Sequence, residues 1–285
     1  MLPELARRAI SAYTEPGQLV VDPMCGIGTT LVEAIHLDRI ALGIELERRW
    51  ASLASANLAH AREQGACGGL AGVLEGDARQ LPRLLTRAGR RGALGPGVAH
   101  RGKVARLGSG SVDLILTSPP YGRDIEAIDK PAWLRGGSLG AKEARNYSSD
   151  PDNLGHARGE PYRAAMAEVY EACAAALKPG GFLVVVTKNL RAGGALHDLA
   201  GTTVDLCQQT GLLYWQHVIA LHAAIRDDQL VPRPSFWQLS TTRKALARGE
   251  RIHLVCHEDV LVFRKADTAA PASARPEQAL MRTAA

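Results

Sequence analysis

The sequence predicts an α/β fold, a mostly parallel sheet with helices on both faces. Three observations predict it. Short apolar runs alternate with stretches of helical periodicity along most of the chain, the pattern of strands joined by crossover helices. The first run ends in Asp22 and passes through Gly26 and Gly28 into a helical segment, as a strand does when the turn after it approaches a ligand. A later run ends in Ser118-Pro119-Pro120-Tyr121, a stiff turn at the strand end where open α/β sheets hold ligands.

Leu2, Leu5, Ala9, Ile10 and Tyr13 recur at helical spacing, so 1–13 is expected to be an amphipathic helix that stops before Glu15-Pro16-Gly17. A strand at 18–22 follows, then a helix at 29–37, a strand from Ile40 that ends at Glu45, and a helix at 47–64. Gly72 to Leu74 with Glu75-Gly76-Asp77 reads as a third strand and 112–117 as a fourth. The fifth, 182–187, emerges from Lys178-Pro179-Gly180-Gly181, and the helix before it, 161–177, places Tyr162, Met166, Val169, Tyr170, Cys173 and Leu177 on one face. A helix at 198–210 and strands at 214–220 and 259–263 complete the sheet.

Three stretches interrupt this pattern. Arg79 to Arg106, within an insertion of about 79–110, holds eight Lys/Arg residues and no acid, with Gly and Pro expected to break any helix after Ala88. The segment 122–160 is polar and contains Trp133 and Tyr147. The segment 226–251 interleaves Arg226, Arg233, Arg243, Lys244, Arg248 and Arg251 with Phe236 and Trp237. Long insertions in compact domains commonly bind something or are disordered. The Ala/Pro/Thr-rich tail from 266 to 285 is expected to be disordered. A chain of 285 residues, 46% hydrophobic, can bury one large core, so 1–265 is predicted to be a single domain.

The net charge of +5 favours an acidic partner such as nucleic acid, although Ala/Gly/Arg richness also follows from coding bias. Cys25, Cys67, Cys173, Cys207 and Cys256 lie far apart with no C-x-x-C pair, which argues against a zinc site or a disulfide framework. No metal is expected. Glu4, Arg7 and Arg8 break up the amino-terminal segment, and no apolar run approaches the ~18 residues of a membrane span. A cytoplasmic protein without a membrane partner is the expectation.

The charges around the glycine turn suggest its ligand. A dinucleotide-binding turn requires a third small residue, but Leu31 stands in its place. Glu45, ending the second strand, is placed to accept from both hydroxyls of a ribose, and Asp77 after the third strand from an adenine amine. Asp22 is placed for an ammonium, while the amides beyond Gly28 favour a carboxylate. A nucleoside sulfonium, S-adenosylmethionine (SAM), fits these acidic neighbours better than a polyphosphate. At the second turn, the Ser118 hydroxyl and the Pro119 carbonyl are two acceptors that could draw the hydrogens of an aromatic amine toward tetrahedral geometry and free its lone pair to attack a methyl group. The prolines Pro119 and Pro120 preorganise the acceptors, and Tyr121 is expected to stack on the base.

Asp22-Pro23-Met24-Cys25-Gly26-Ile27-Gly28-Thr29 resembles the SAM motif of the DNA amino-methyltransferases, and Thr117 to Tyr121 resembles their catalytic motif. Pro3 to Arg8 with Pro16-Gly17 is similar to their leading segment, and His257 to Phe263 to their closing strand. The resemblance implies a Rossmann-like, seven-stranded class I methyltransferase sheet. It implies SAM held by Asp22, Pro23, Cys25, Gly26, Gly28, Thr29, Glu45, Asp77, Ala78 and Thr117, and catalysis at Ser118, Pro119, Pro120 and Tyr121. Within that family Ser at the first catalytic position leans toward the N4 amine of cytosine in DNA. Carbon-5 methylation is disfavoured, because neither Cys25 nor Cys256 follows a proline after the fourth strand. The same turn also resembles that of RNA enzymes methylating the guanine N2 amine, which usually carry Asp where Ser118 stands. A non-catalytic SAM-binding subunit that needs a partner is a further alternative.

For a nucleic acid, with DNA favoured over RNA, the expected contacts are Arg87, Arg90 and Arg91 of the first insertion with Arg233, Phe236, Trp237, Arg243 and Lys244 of the third. A base in a duplex would have to flip out to reach Ser118. The oligomeric state is not legible in the sequence.

Overall fold

The computed structural model describes residues 1–66, 68–91, 107–121, 153–157, 159–192 and 195–267. Helices are α1 (Pro3–Tyr13), α2 (Thr29–His36), α3 (Arg48–Glu63), α4 (Leu81–Arg91), α5 (Gly159–Ala176), α6 (Leu199–Gln209) and α7 (Phe236–Ala247). Strands are β1 (Leu19–Asp22), β2 (Ile40–Glu45), β3 (Leu70–Glu75), β4 (Val112–Thr117), β5 (Leu177–Thr187), β6 (Leu190–Ala192), β7 (Ala195–His197), β8 (Leu213–Leu221), β9 (Ala223–Arg226), β10 (Gln229–Pro232) and β11 (His257–Arg264).

Seven strands form one sheet in the order β3-β2-β1-β4-β5-β11-β8. Neighbours pair in parallel from β3 through β5, and β11 enters antiparallel between β5 and β8. Strand order therefore reverses between β1 and β4. The loops that leave these two strands diverge in opposite directions and open a crevice at the carboxyl edge, the place where open α/β sheets bind ligands.

The core explains why the central strands read as continuous apolar runs. Each of them is covered on both faces. On one face Val20, Ala41, Leu114, Leu116, Val184 and Val262 meet Ala6 and Ile10 of α1, Leu31 and Ile35 of α2, and Ala54 and Leu58 of α3. On the other, Val21, Leu42, Ile115, Leu183 and Phe263 meet Leu81 and Leu85 of α4, Met166 and Tyr170 of α5, and Leu206 of α6. Helix α1 starts with Pro3 in its first turn, where a missing amide costs nothing, and carries Glu4 there.

Two of the expected interruptions contain regular structure. Residues 81–91 are a layer helix, continuing past Ala88 through Gly89. Burial of Leu81, Leu84, Leu85 and Ala88 on one stripe, at roughly 1.5–3 kcal/mol for each large side chain, outweighs the ~1 kcal/mol cost of a helical glycine. Within 226–251, β9 and β10 form a hairpin across Asp227 and Asp228, both in left-handed conformation, as a two-residue turn matched to strand twist requires. Helix α7 follows, capped by the Ser235 hydroxyl, which accepts from the Gln238 amide. Most of the expected insertion 122–160, with Trp133 and Tyr147, and the tail from 268 lie outside the described residues. Among the described residues no helix is long and apolar enough to cross a membrane.

Candidate active site at the switch point of the sheet

The glycine turn is seated on β2. The Cys25 amide donates to the Ile44 carbonyl at 2.9 Å, and the Cys25 side chain is buried under the turn. A Cβ added at Gly43 would lie 2.6 Å from Cys25 Sγ and 2.6 Å from Leu31, so only glycine admits this approach. Gly28 caps α2 with φ of 83°, and an added Cβ there would sit 3.1 Å from that of Ala54. The first amides of α2 beyond it, those of Thr29 and Thr30, belong to a turn in which helix geometry leaves N–H groups unpaired.

Asp22 is 4% exposed. Its carboxylate accepts from the Thr30 hydroxyl at 2.7 Å and the Met24 amide at 3.2 Å. Burial pushes its pKa up to about 6, against which the bonds from Thr30 and Met24 and the nearby Thr117 hydroxyl pull down. Thr117, the last residue of β4, is fully buried, and its hydroxyl makes no hydrogen bond of ordinary length among the described residues. Glu45 accepts from the Gly26 amide at 2.8 Å and the Glu47 amide at 3.0 Å. Burial raises its pKa, partly offset by these amides. A carboxylate so fixed keeps lone pairs for a diol.

Asp77, expected to accept from an adenine amine, has local partners of its own. It caps the turn Ala78–Gln80 by accepting from the Arg79 amide at 2.9 Å, and it binds the Arg79 guanidinium at 2.8 and 2.6 Å. Arg79, which the sequence places in a basic stretch, therefore stands at the cofactor edge, and Ala78 beside it is buried.

The second turn emerges one strand away. Tyr162 of α5 donates to the Pro120 carbonyl at 2.7 Å. The Tyr121 hydroxyl interacts with Ser118, and its pKa is pushed up to about 12 by burial first and the charge of Glu258 second. Lys188, just past β5, lies over the Tyr121 ring at 5.7 Å, within cation–π range. Tyr162, Lys188 and Glu258 escape sequence reasoning because each is brought to the turn from a distant element.

The proposed nucleic-acid contacts separate into two groups. Helix α4 leaves the carboxyl edge after β3 and returns toward the opposite edge, so the exposed Arg87 and Arg90 lie on its distal turns; of Arg91 only the helical backbone is described. The segment between β8 and β11 starts and ends at the carboxyl edge, which places Arg233, Phe236, Arg243 and Lys244, all exposed, on the side of Ser118. Trp237 is described only as part of α7.

The parallel sheet with its inserted antiparallel strand and the turns after β1 and β4 give the chain the class I, Rossmann-like methyltransferase fold. Residues 3–56 match the family model described as DNA methylase. The chain is 43% identical over 58 residues to the type II methyltransferase M.SmaI of Serratia marcescens, a stretch covering 20% of each chain. It is 29% identical over 123 residues to the tRNA (guanine(10)-N2)-dimethyltransferase of Methanocaldococcus jannaschii, covering 43% of this chain and 29% of that one. The matches thus span under a third of the length of these relatives. Among solved structures, a SAM-dependent methyltransferase from Methanosarcina mazei shows 14% identity and a TM-score of 0.48, covering 91% of this chain and 97% of that one.

The residues present fit SAM as cofactor. Among the described residues the buried Asp22 carboxylate accepts from the Thr30 hydroxyl and the Met24 amide and pairs with no basic side chain, and the buried Thr117 hydroxyl beside it has no hydrogen-bond partner.

Proposed function

We propose that one methyltransferase domain spanning 1–265 transfers the methyl group of SAM directly to an exocyclic amine of a nucleobase, the N4 amine of cytosine in DNA. The observation that carries this reading is the adjacency of the two turns. Val20 and Val21 of β1 pair with Leu114 and Ile115 of β4, so the Asp22 turn and the Ser118 turn leave neighbouring strands at the same edge. Bound SAM supplies an electrophilic methyl group. Asp22 and the α2 amides would hold its amino-acid end and Glu45 its ribose. Ser118 and Pro119 accept the amine hydrogens, and the prolines keep both acceptors fixed. The basic segment 226–251 would hold the phosphate backbone of the substrate.

The test is transfer of labelled methyl groups to DNA and to total RNA, followed by digestion to nucleosides. N4-methylcytosine in DNA is expected. Label confined to RNA, or to a carbon of the ring, would overturn the reading. A second reading, methylation of a guanine N2 amine in RNA, is favoured by one observation: the similarity to the tRNA enzyme extends over 43% of the chain, against 20% for M.SmaI. N2-methylguanine as the product would establish it.

A further inference from the structure

Strand β11 brings two buried polar groups to the catalytic edge that the mechanism above leaves unused. Asp259 pairs with Thr187 at the end of β5, two residues past the Val185 that pairs with Thr117, so Glu258, one residue before Asp259, lies beyond Thr117 at the height of the turn that follows it. Alternation along the strand points Glu258 toward the face of Val260 and Val262. Asp259 points the other way and is held by His217 at 2.9 Å. His222, just past β8, is fixed through its backbone: its amide donates to the Cys256 carbonyl at 2.8 Å and its carbonyl accepts from the Arg233 amide at 2.7 Å.

The two side chains are 16% and 14% exposed, with His222 Nε2 3.8 Å from Glu258 Oε1. Even so, His222 Nε2 and Glu258 Oε2 are both buried without a hydrogen-bond partner among the described residues. Buried polar atoms are seldom left in this state, because an unmade bond costs more than a made one returns. One residue before the Asp259–Thr187 pair, Glu258 comes level with Lys188, which lies over the Tyr121 ring at 5.7 Å. Glu258 is an acceptor only. His222, in the tautomer with hydrogen on Nε2, is a donor.

We propose that His222 and Glu258 read the Watson–Crick edge of the target base, His222 donating to a bare ring nitrogen and Glu258 accepting from the exocyclic amine beside it. The inference rests on the amine-methylation reading above and narrows its substrate. Cytosine presents an N4 amine next to an unprotonated N3, and adenine an N6 amine next to an unprotonated N1. Guanine presents a protonated N1 beside its N2 amine, two donors in a row, so the His222 donor would face another donor. Glu258 shares the amine hydrogen on the ring-nitrogen side, in a bifurcated bond, with one acceptor of the Ser118 turn, whose second acceptor takes the other hydrogen. Carboxylate acceptance from cytosine N4 is an established pairing in base readout.

A cycle of protein and base substitutions tests this. Full-length wild type, His222→Ala and Glu258→Gln are assayed on oligonucleotides carrying cytosine or 3-deazacytosine, in which C–H replaces the ring nitrogen. Oligonucleotide affinity without SAM is measured beside kcat/KM. Loss of the ring nitrogen should lower wild-type kcat/KM and affinity about tenfold, the scale of one hydrogen bond in a dry site, and should cost His222→Ala nothing further. Glu258→Gln, of the same shape, should lose about tenfold on both bases while its melting temperature and SAM affinity stay unchanged. Methylated cytosine with losses that multiply in the His222→Ala/3-deaza combination overturns the readout alone. A product found only at guanine overturns the substrate reading, and the readout with it.

Discussion

Tyr162 donates its phenolic hydrogen to the Pro120 carbonyl at 2.7 Å, across 42 residues of sequence. The bond occupies one carbonyl of the turn and, in the proposed reaction, leaves that of Pro119 available to the amine. Burial raises the pKa of Tyr162, and the neighbouring Tyr121 raises it further, so the phenol remains a donor throughout the physiological range. Tyr162→Phe should lower kcat about fivefold, the effect of one neutral hydrogen bond near 1 kcal/mol, with SAM affinity unchanged. Steady-state kinetics beside SAM calorimetry checks this; an equal fall in SAM affinity would contradict it.

If Asp22 holds the ammonium of SAM, as proposed, its carboxyl gives binding a pH dependence of definite sign. Its pKa in the folded chain, about 6, lies above the ordinary value of 3.8. The folded state therefore binds this proton more tightly than the unfolded state does. From this group alone, stability falls as pH rises from about 4 to about 6. An ammonium ligand needs the ionised form, so SAM affinity should fall as pH drops below about 6, approaching tenfold per unit. Asp22→Asn should bind SAM weakly and lose that dependence. Calorimetry between pH 5 and 8 reads both effects, and a parallel slope in the variant would rule the assignment out.

Gly43→Ala should destabilise the fold by about 1–3 kcal/mol, the usual scale of overpacking in a closed core, because the new methyl group collides with Cys25 Sγ and Leu31. Cys25→Ala in the same chain should recover part of the loss by removing the sulfur. Urea denaturation of the two single variants and the double variant measures the coupling. Strict additivity would show that the turn does not sit on β2 as described.

If the segment between β8 and β11 holds the phosphates, Arg233→Ala, Arg243→Ala and Lys244→Ala together should weaken oligonucleotide binding. They should also flatten its salt dependence by about 0.7–0.9 in log K per log salt for each phosphate no longer neutralised. Arg87→Ala with Arg90→Ala, on the far turns of α4, should change neither. Anisotropy titrations at several salt concentrations separate the two surfaces, and the reverse outcome would move the interface to α4.

The strand and helix order of the cofactor half is legible in the sequence because its signals are local: Asp22, Gly26, Gly28 and Glu45 lie within one strand-turn-helix-strand unit. The full length of helix α4 is not, although Leu81, Leu84, Leu85 and Ala88 show its period. Gly89 and the density of arginine suggest a loop, but burial against the sheet decides the matter. The β9–β10 hairpin turns on two left-handed aspartates, Asp227 and Asp228, a less distinctive signal than Asn-Gly. At the site, the turn itself is readable and its supports are not. Tyr162, Lys188 and Glu258 reach it from α5, the end of β5 and β11, and no spacing in the chain records that convergence. The Asp77 and Arg79 pairing is local, yet a basic run masks the one arginine that turns back on a strand-end acid.

Strand β8 has β11 as its sole neighbour in the main sheet, and this imposes an order on biosynthesis. Residues 213–221 leave the ribosome well before 257–264, so β8 waits without a partner while β5 presents an open edge. Only β11, made after both, joins the two. The same strand delivers Glu258, so a nascent chain that already holds the turns after β1 and β4 acquires that carboxylate at the moment the sheet closes.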